Sequence, residues 1–310
     1  MKEPRCNMEK IMPLPPLYKY LSLEGARLTL GNGTFRHAKP SDFNDDMDMT
    51  LQSVFPGDIE AALEEMTAGT AQIISDNLDK VPTASSPELR QTVQLMQQIF
   101  RENPDAVEVI EKELASDSAE DIYDVEHMRA FSGGFVGELN DFLQQYRVLC
   151  VSDNNASKVM WERYAEDHCG IVLRVKPNEE KDSKFQLFRK VTYERDRPTL
   201  YESTRAFRED ALFGNQSEIR REMLNKIIYS KTLEWAYEQE YRLAIPLAPG
   251  EDYDTLPYHP EELSDMFLGA KMVGAEKEEI TDLARARNPG IRIHEAHLAD
   301  SGELAFREKI

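Results

Sequence analysis

Cysteine is scarce. Only Cys6, Cys150 and Cys169 occur in 310 residues, with neither a CxxC pair nor a Cys/His ladder. An odd, unpatterned set excludes a disulfide framework and a zinc module, and it fits a reducing cytoplasm. Long apolar runs and a signal-peptide core are also missing, so neither a membrane partner nor export is expected. Neither GxGxxG nor GxxxxGK[ST] follows a strand-like run, which argues against Rossmann and P-loop nucleotide sites. Basic residues are in deficit: 37 Lys and Arg stand against 57 Asp and Glu, a formal charge of -20. That balance disfavours duplex DNA through long-range repulsion unless cations cluster locally. The chain has no internal repeat and no low-complexity tract.

What remains is a globular composition, 41% apolar, in a length that suits one large or two ordinary domains. Residues 1–16 read as a flexible N-terminus and residues 17–310 as one α+β domain. Leu17 to Tyr20 is strand-like. Ser22 is placed to cap a helix over Glu24 to Leu30, which Gly31 or Gly33 stops. A strand over Thr34 to Ala38 ends at Pro40, and SDFNDD supplies turn chemistry. Between about residues 50 and 146 helix formers with helical apolar spacing take over, a helical insertion. Short runs rich in β-branched and aromatic residues then follow: RVLCVS, GIVLRV, FQLFRKVTY, EYRLAIPL, MFLGAKMV and IRIHEAHL. Helices fill Thr204 to Leu233 and Glu276 to Arg287. Strands grouped in this way favour a mixed α+β sheet over a regular doubly wound one.

Three stretches could carry chemistry. In MWERYAEDHCG, helical spacing puts Trp161, Tyr164 and His168 on one face, where they either plug a core or line a pocket. Cys150, His168 and Cys169 have no spacing that supplies a general base or four metal ligands, so the thiols read as inert. The acidic turn FNDDMD lacks the Gly and distal Glu of a calcium loop, and no metal is expected there. The run KTLEWAYEQEYRLAIPL is the most informative. A strand from Tyr237 puts Glu238, Glu240 and Arg242 on one face and Tyr241 and Leu243 on the other. That is either a solvated charged face or a working pair of carboxylates about 7 Å apart. In the second case one carboxylate stabilises an oxocarbenium-like cation and the other orients or deprotonates a nucleophile. Arg242 then keeps both ionised or binds a phosphate.

LYKY with FRHAKPSDFND, VLCVSDNNASKVMWERYAEDHCGIVLRV, KVTYERDRP, then Lys231, Trp235 and EQEYRL, and finally MFLGAKM together resemble the bacterial family grouped as domain of unknown function 2971. The pieces occur in the family's order and leave out the helical insertion. One departure is FNDDMD, where the family usually reads FNDPFD. The resemblance implies a divergent ADP-ribosyltransferase fold with a mixed, mainly antiparallel sheet. It implies NAD as substrate, and toxin or anti-phage effectors as company. By position it assigns Tyr18, Lys19 or Tyr20 on the first strand, Ser152 at the end of a middle strand, and Glu240 on a late strand, with Glu238 as accessory carboxylate. Trp161 and Tyr164 would wall the nicotinamide, beside His168 and Arg242. The expected activity is NAD-consuming ADP-ribosyl transfer to an unidentified acceptor: a protein, a small molecule or single-stranded nucleic acid. An antitoxin or regulatory protein is a further expected partner. NAD hydrolysis and a non-catalytic binding protein that retains the fold are the alternatives.

Overall fold

The structure is a computed structural model that describes residues 13–57, 62, 65, 69–114, 125–214, 216–299 and 303–309. Cys6 and most of the expected flexible N-terminus lie outside the described residues. In chain order the strands are Leu17–Leu21 (β1), Thr34–Arg36 (β2), Tyr146–Ser152 (β3), Ile171–Val175 (β4), Arg189–Lys190 (β5) and Thr192–Glu194 (β6). They continue with Ser230–Thr232 (β7), Glu240–Pro246 (β8), Thr255–Pro257 (β9), Leu263–Leu268 (β10), Arg292–Leu298 (β11) and Leu304–Glu308 (β12). The α-helices are Leu23–Asn32 (α1), Thr70–Asp76 (α2), Pro87–Glu102 (α3), Ala106–Leu114 (α4), Val125–Leu143 (α5), Lys158–Tyr164 (α6), Thr204–Phe213 (α7), Gln216–Ile228 (α8) and Gly274–Arg287 (α9). The protein is therefore mixed α+β. The chain divides into two compact units. One comprises Met1–Asp46, Gln145–Tyr193 and Lys231–Ile310, the other Met47–Gln144 and Glu194–Ser230.

The first unit holds an eight-stranded open sheet in the order β12-β11-β10-β4-β1-β3-β8-β5. Every pairing is antiparallel except β10 with β11. Side chains alternate across each strand, so each face of the sheet carries its own core. On one face Leu17, Leu149, Val151, Leu173 and Leu243 pack with Ala26 and Leu30 of α1 and with Ile280 and Ala284 of α9. On the other, Tyr20, Val172 and Phe267 pack with Met160, Trp161 and Ala165 from α6 and its end. Helix α1 starts as its sequence dictates: Ser22 Oγ accepts from Gly25 N, and Gly33 closes it in the left-handed region at φ 70°.

The junction between β1 and β3 is narrow. These strands share the single registered pair Tyr18 with Ser152, whereas β3 and β8 are in register along their whole length, from Tyr146 with Pro246 to Ser152 with Glu240. Lys19 uses the interval, its Nζ donating to the Cys150 carbonyl at 2.9 Å.

Two sequence expectations are corrected here. The run FQLFRKVTY is not one strand but a 3-10 turn, Lys184–Leu187, followed by the short strands β5 and β6. Phe185 and Phe188 are three residues apart and both are buried in the same core, which a three-residue turn allows and a strand does not. The second correction is that β8 starts at Glu240 instead of Tyr237. Leu233–Glu238 is a 3-10 turn, and Gln239 reverses the chain in the left-handed region at φ 47°.

The second unit is helical among its described residues, with α2, α3, α4, α5, α7 and α8. Ala71, Ile73 and Ile74 of α2, Val93 and Phe100 of α3 and Leu212 of α7 form one apolar cluster. Val54, Phe55 and Ala62 form another with Tyr201 and Phe207. Among the described residues no helix is long and apolar enough to cross a membrane.

Candidate active site at the start of β8

Glu238 and Glu240 flank the left-handed Gln239, so the turn, not strand periodicity, sets their relation. Both are buried, at 4% exposure each. Glu240 opens β8 and receives the Arg242 guanidinium in a two-point pair, Nε to Oε1 at 2.7 Å and the second nitrogen to Oε2 at 3.0 Å. Glu238, turned back by Gln239, accepts from Lys231 Nζ at 2.7 Å and from the Tyr164 hydroxyl. Lys231 also lies 3.6 Å from Glu240, so one ammonium bridges the two carboxylates.

The surroundings drive the two acids apart. Burial alone pushes Glu240 upward, but the Arg242 guanidinium and then the Lys231 ammonium overcome it and hold the carboxyl at about 2. Glu238 goes the other way: burial first, then the neighbouring Glu240 charge, raise it above the ordinary 4.5. Burial and the Glu238 charge likewise raise the Tyr164 phenol, which stays a neutral donor. The Cys150 thiol, buried beside Glu240, is pushed well up as well, so it is not a ready nucleophile. Paired acids with opposite shifts are the arrangement from which a fixed anion and a proton carrier can be drawn.

Residues distant in sequence complete the cluster. Asn44 Nδ2 donates to the Tyr164 hydroxyl oxygen at 2.7 Å, and the Phe43 ring lies 5.6 Å from the Arg242 guanidinium. Lys231 Nζ stands 4.5 Å over the Trp235 ring. Tyr193 accepts the Glu240 backbone N–H at 2.9 Å. Sequence reasoning assigned none of Phe43, Asn44, Lys231, Trp235 and Tyr193 to the site. FND reads as ordinary turn chemistry, and Lys231 and Trp235 stand out only as pieces of the family pattern.

Of the assigned residues, Tyr18, Ser152 and Glu240 lie directly opposite one another on adjacent strands, Tyr18 with Ser152 and Ser152 with Glu240. Ser152 is buried and its Oγ accepts from Asn154 N at 3.1 Å. Tyr20 is one step along, buried, with its hydroxyl donating to the Asn154 carbonyl at 2.7 Å. Lys19 points to the opposite face from Tyr18 and reaches Cys150 O; burial lowers its affinity for a proton. Trp161 is fully buried. Its Nε1 donates to Asn155 O at 2.7 Å, Tyr20 meets it edge-on, and its ring lies parallel to His168 at 6.0 Å. Of the two alternatives for this segment, Trp161 and His168 have the packing of a core, and Tyr164 alone turns to the carboxylates. The helix ends at Tyr164, so His168 does not share its face; residues 166–168 form a left-handed turn beyond it.

Among the described residues no three His, Cys, Asp or Glu side chains cluster as a metal ion would need. Searches of curated proteins and of solved structures returned no match. Residues 160–243 match the family model described as Protein of unknown function (DUF2971). The matched segment carries Tyr164, Lys231, Trp235, Glu238, Glu240 and Arg242.

Proposed function

We propose that the protein is an NAD-consuming ADP-ribosyltransferase, with an ADP-ribosyltransferase type of sheet. The observation that carries this reading is the direct register of Tyr18, Ser152 and Glu240 across three neighbouring strands. These are the first-strand, middle-strand and late-strand positions that the family resemblance implies should converge on NAD. The split carboxylate pair beside them suits the chemistry. Glu240, ionised throughout the ordinary pH range, accepts a hydroxyl of the nicotinamide ribose and faces the positive charge that grows on the sugar. The bond between ribose C1′ and nicotinamide breaks, and its electron pair leaves with the ring. The acceptor's nucleophile forms the new bond to C1′ and gives its proton to Glu238, whose raised pKa makes it the better base. Tyr164 and Lys231 hold Glu238 in place. With water as acceptor the same steps give NAD hydrolysis.

The same proposal extends, on the resemblance, to a toxin or anti-phage role, a regulatory or antitoxin partner and a cytoplasmic setting. A second reading, a non-catalytic binding protein, draws on a different observation: both carboxylates already have cationic partners within the chain. Nicotinamide release from NAD, with and without cell extract, separates the readings. Release that is lost in Glu240→Gln supports the transferase, and extract dependence distinguishes transfer from hydrolysis. No release and no thermal shift with NAD favour the binding protein.

A further inference from the structure

The register of Tyr18, Ser152 and Glu240 continues across the sheet in the other direction. Tyr18 pairs with Arg174 on β4, Arg174 with Asp265 on β10, and Asp265 with Arg292 on β11. One lateral row of polar side chains, Glu240–Ser152–Tyr18–Arg174–Asp265–Arg292, therefore crosses six strands on a single face. The adjacent row on that face is largely apolar, Tyr20, Val172 and Phe267, and it packs with α6. At an interstrand spacing near 4.8 Å, Arg174 stands about 14 Å from Glu240 along the row.

The far end of the row is built around a buried carboxylate. Asp265 is 2% exposed and accepts from Arg292 at 3.0 Å, from the His294 ring at 2.9 Å and from Arg174 at 3.4 Å. Against the effect of burial, hydrogen bonds from His294, Ser264 and Arg292 keep this carboxyl below its ordinary value. Each guanidinium has five N–H donors, and Asp265 engages only some of them. Arg174 and Arg292 keep about a third and a half of their side chains exposed. Two guanidiniums share one buried carboxylate here, in a chain whose formal charge is -20. Glu308 is an acidic neighbour that acts on Arg292. A buried acid that pins two planar forks with their outer edges toward solvent is a preorganised receptor for a phosphoryl group.

We propose that Arg174 and Arg292, held by Asp265, form an anion subsite for a phosphoryl group of the dinucleotide whose reacting ribose lies at Glu240. This inference rests on the NAD reading for the identity of the ligand, while the subsite itself rests on the row. The phosphoryl group is either the central diphosphate or a 2′-phosphate on the adenosine end, and two probes distinguish them. Adenosine 5′-diphosphate carries the first alone, and adenosine 2′,5′-bisphosphate carries the second with only a monophosphate at its 5′ end.

The test is titration of both probes into the full chain and into Arg174→Gln and Arg292→Gln, at low and high salt, beside KM for NAD and NADP. The expected result is binding by the wild type that weakens about tenfold in each variant and falls with salt. Loss with adenosine 5′-diphosphate assigns the diphosphate; loss confined to the bisphosphate assigns the 2′-phosphate. Arg292 is the more exposed of the two and its variant should fold, so it carries the test if Arg174→Gln does not. Wild-type protein that binds neither probe, or variants that bind as tightly as wild type, overturn the subsite. Arginine-dependent probe binding without nicotinamide release keeps the subsite and removes the transferase reading. Turnover with an unchanged KM in both variants does the reverse.

Discussion

Arg242 and Glu240 occupy one face of the same strand two residues apart, and the guanidinium grips both oxygens of the carboxylate at 2.7 and 3.0 Å. Arg242 is fully buried, so this pair cannot be broken cheaply. Glu240→Ala leaves a buried cation without its principal counter-ion and should cost about 3–5 kcal/mol of stability. Glu240→Gln keeps an acceptor for Arg242 and should fold with a smaller loss. Under the transferase reading it should also lower nicotinamide release by about a hundredfold or more. Denaturant midpoints for the two variants and product formation by the second check these outcomes.

The same pair sets a pH dependence. Glu240 in the folded protein titrates at about 2 against an ordinary 4.5, a depressed carboxyl. Its contribution to stability is present in full above the ordinary value and is lost as pH falls through the window from 4.5 toward 2. The gap in melting temperature between wild type and Glu240→Gln should hold steady above about pH 5 and then narrow with acid. A gap that stays constant to the acid limit would contradict the depressed pKa.

Tyr164 donates to Glu238 while accepting from Asn44. Tyr164→Phe removes a hydrogen bond that favours the ionised acid, so the Glu238 pKa should rise further. The stability cost should be about 1–3 kcal/mol, since a buried carboxylate loses one of its partners. In a catalytic protein the acid limb of the pH–rate profile shifts to higher pH, a change that loss of packing alone would not produce.

Trp161 packs as core, and its truncation should behave accordingly. Trp161→Ala should lower stability by about 3–5 kcal/mol. Trp161→Phe, milder, should leave KM for NAD within about twofold, in the range expected for a residue outside the pocket. A much larger KM change in a variant that melts normally would return this side chain to the ligand.

Gly170 explains part of the HCG pattern without any appeal to chemistry. A Cβ at this position would stand 2.1 Å from the Leu21 carbonyl oxygen, and Gly170 O accepts from Gly269 N at 3.0 Å. Backbone meets backbone there, with no flexible side chain to yield. Gly170→Ala should cost about 3 kcal/mol, at the upper end for overpacking, and thermal unfolding measures it.

Local sequence determined much of the first unit. The alternation in LYKYL and RVLCVS, the Ser22 cap and the Gly33 stop all specify their elements within a few residues, because backbone propensity and capping act over that range. Glu240 with Arg242 on one face and Tyr241 with Leu243 on the other also follow from period two alone. The site was legible only in pieces. FND, MWERY, Lys231 and the EQE triplet lie up to about two hundred residues apart in sequence, and each taken alone reads as a turn, an amphipathic helix or a charged face. Only the tertiary structure brings Asn44 to Tyr164 and Tyr164 to Glu238. Only the sheet order, with β1 between β3 and β4, puts Glu240, Ser152, Tyr18 and Arg174 in one row. Strand pairing is a choice among distant partners made by the whole buried core, and no local pattern encodes it. The left-handed Gln239 is a similar case, since the ion pairs on either side of it offset a strained backbone that its own residue type does not announce.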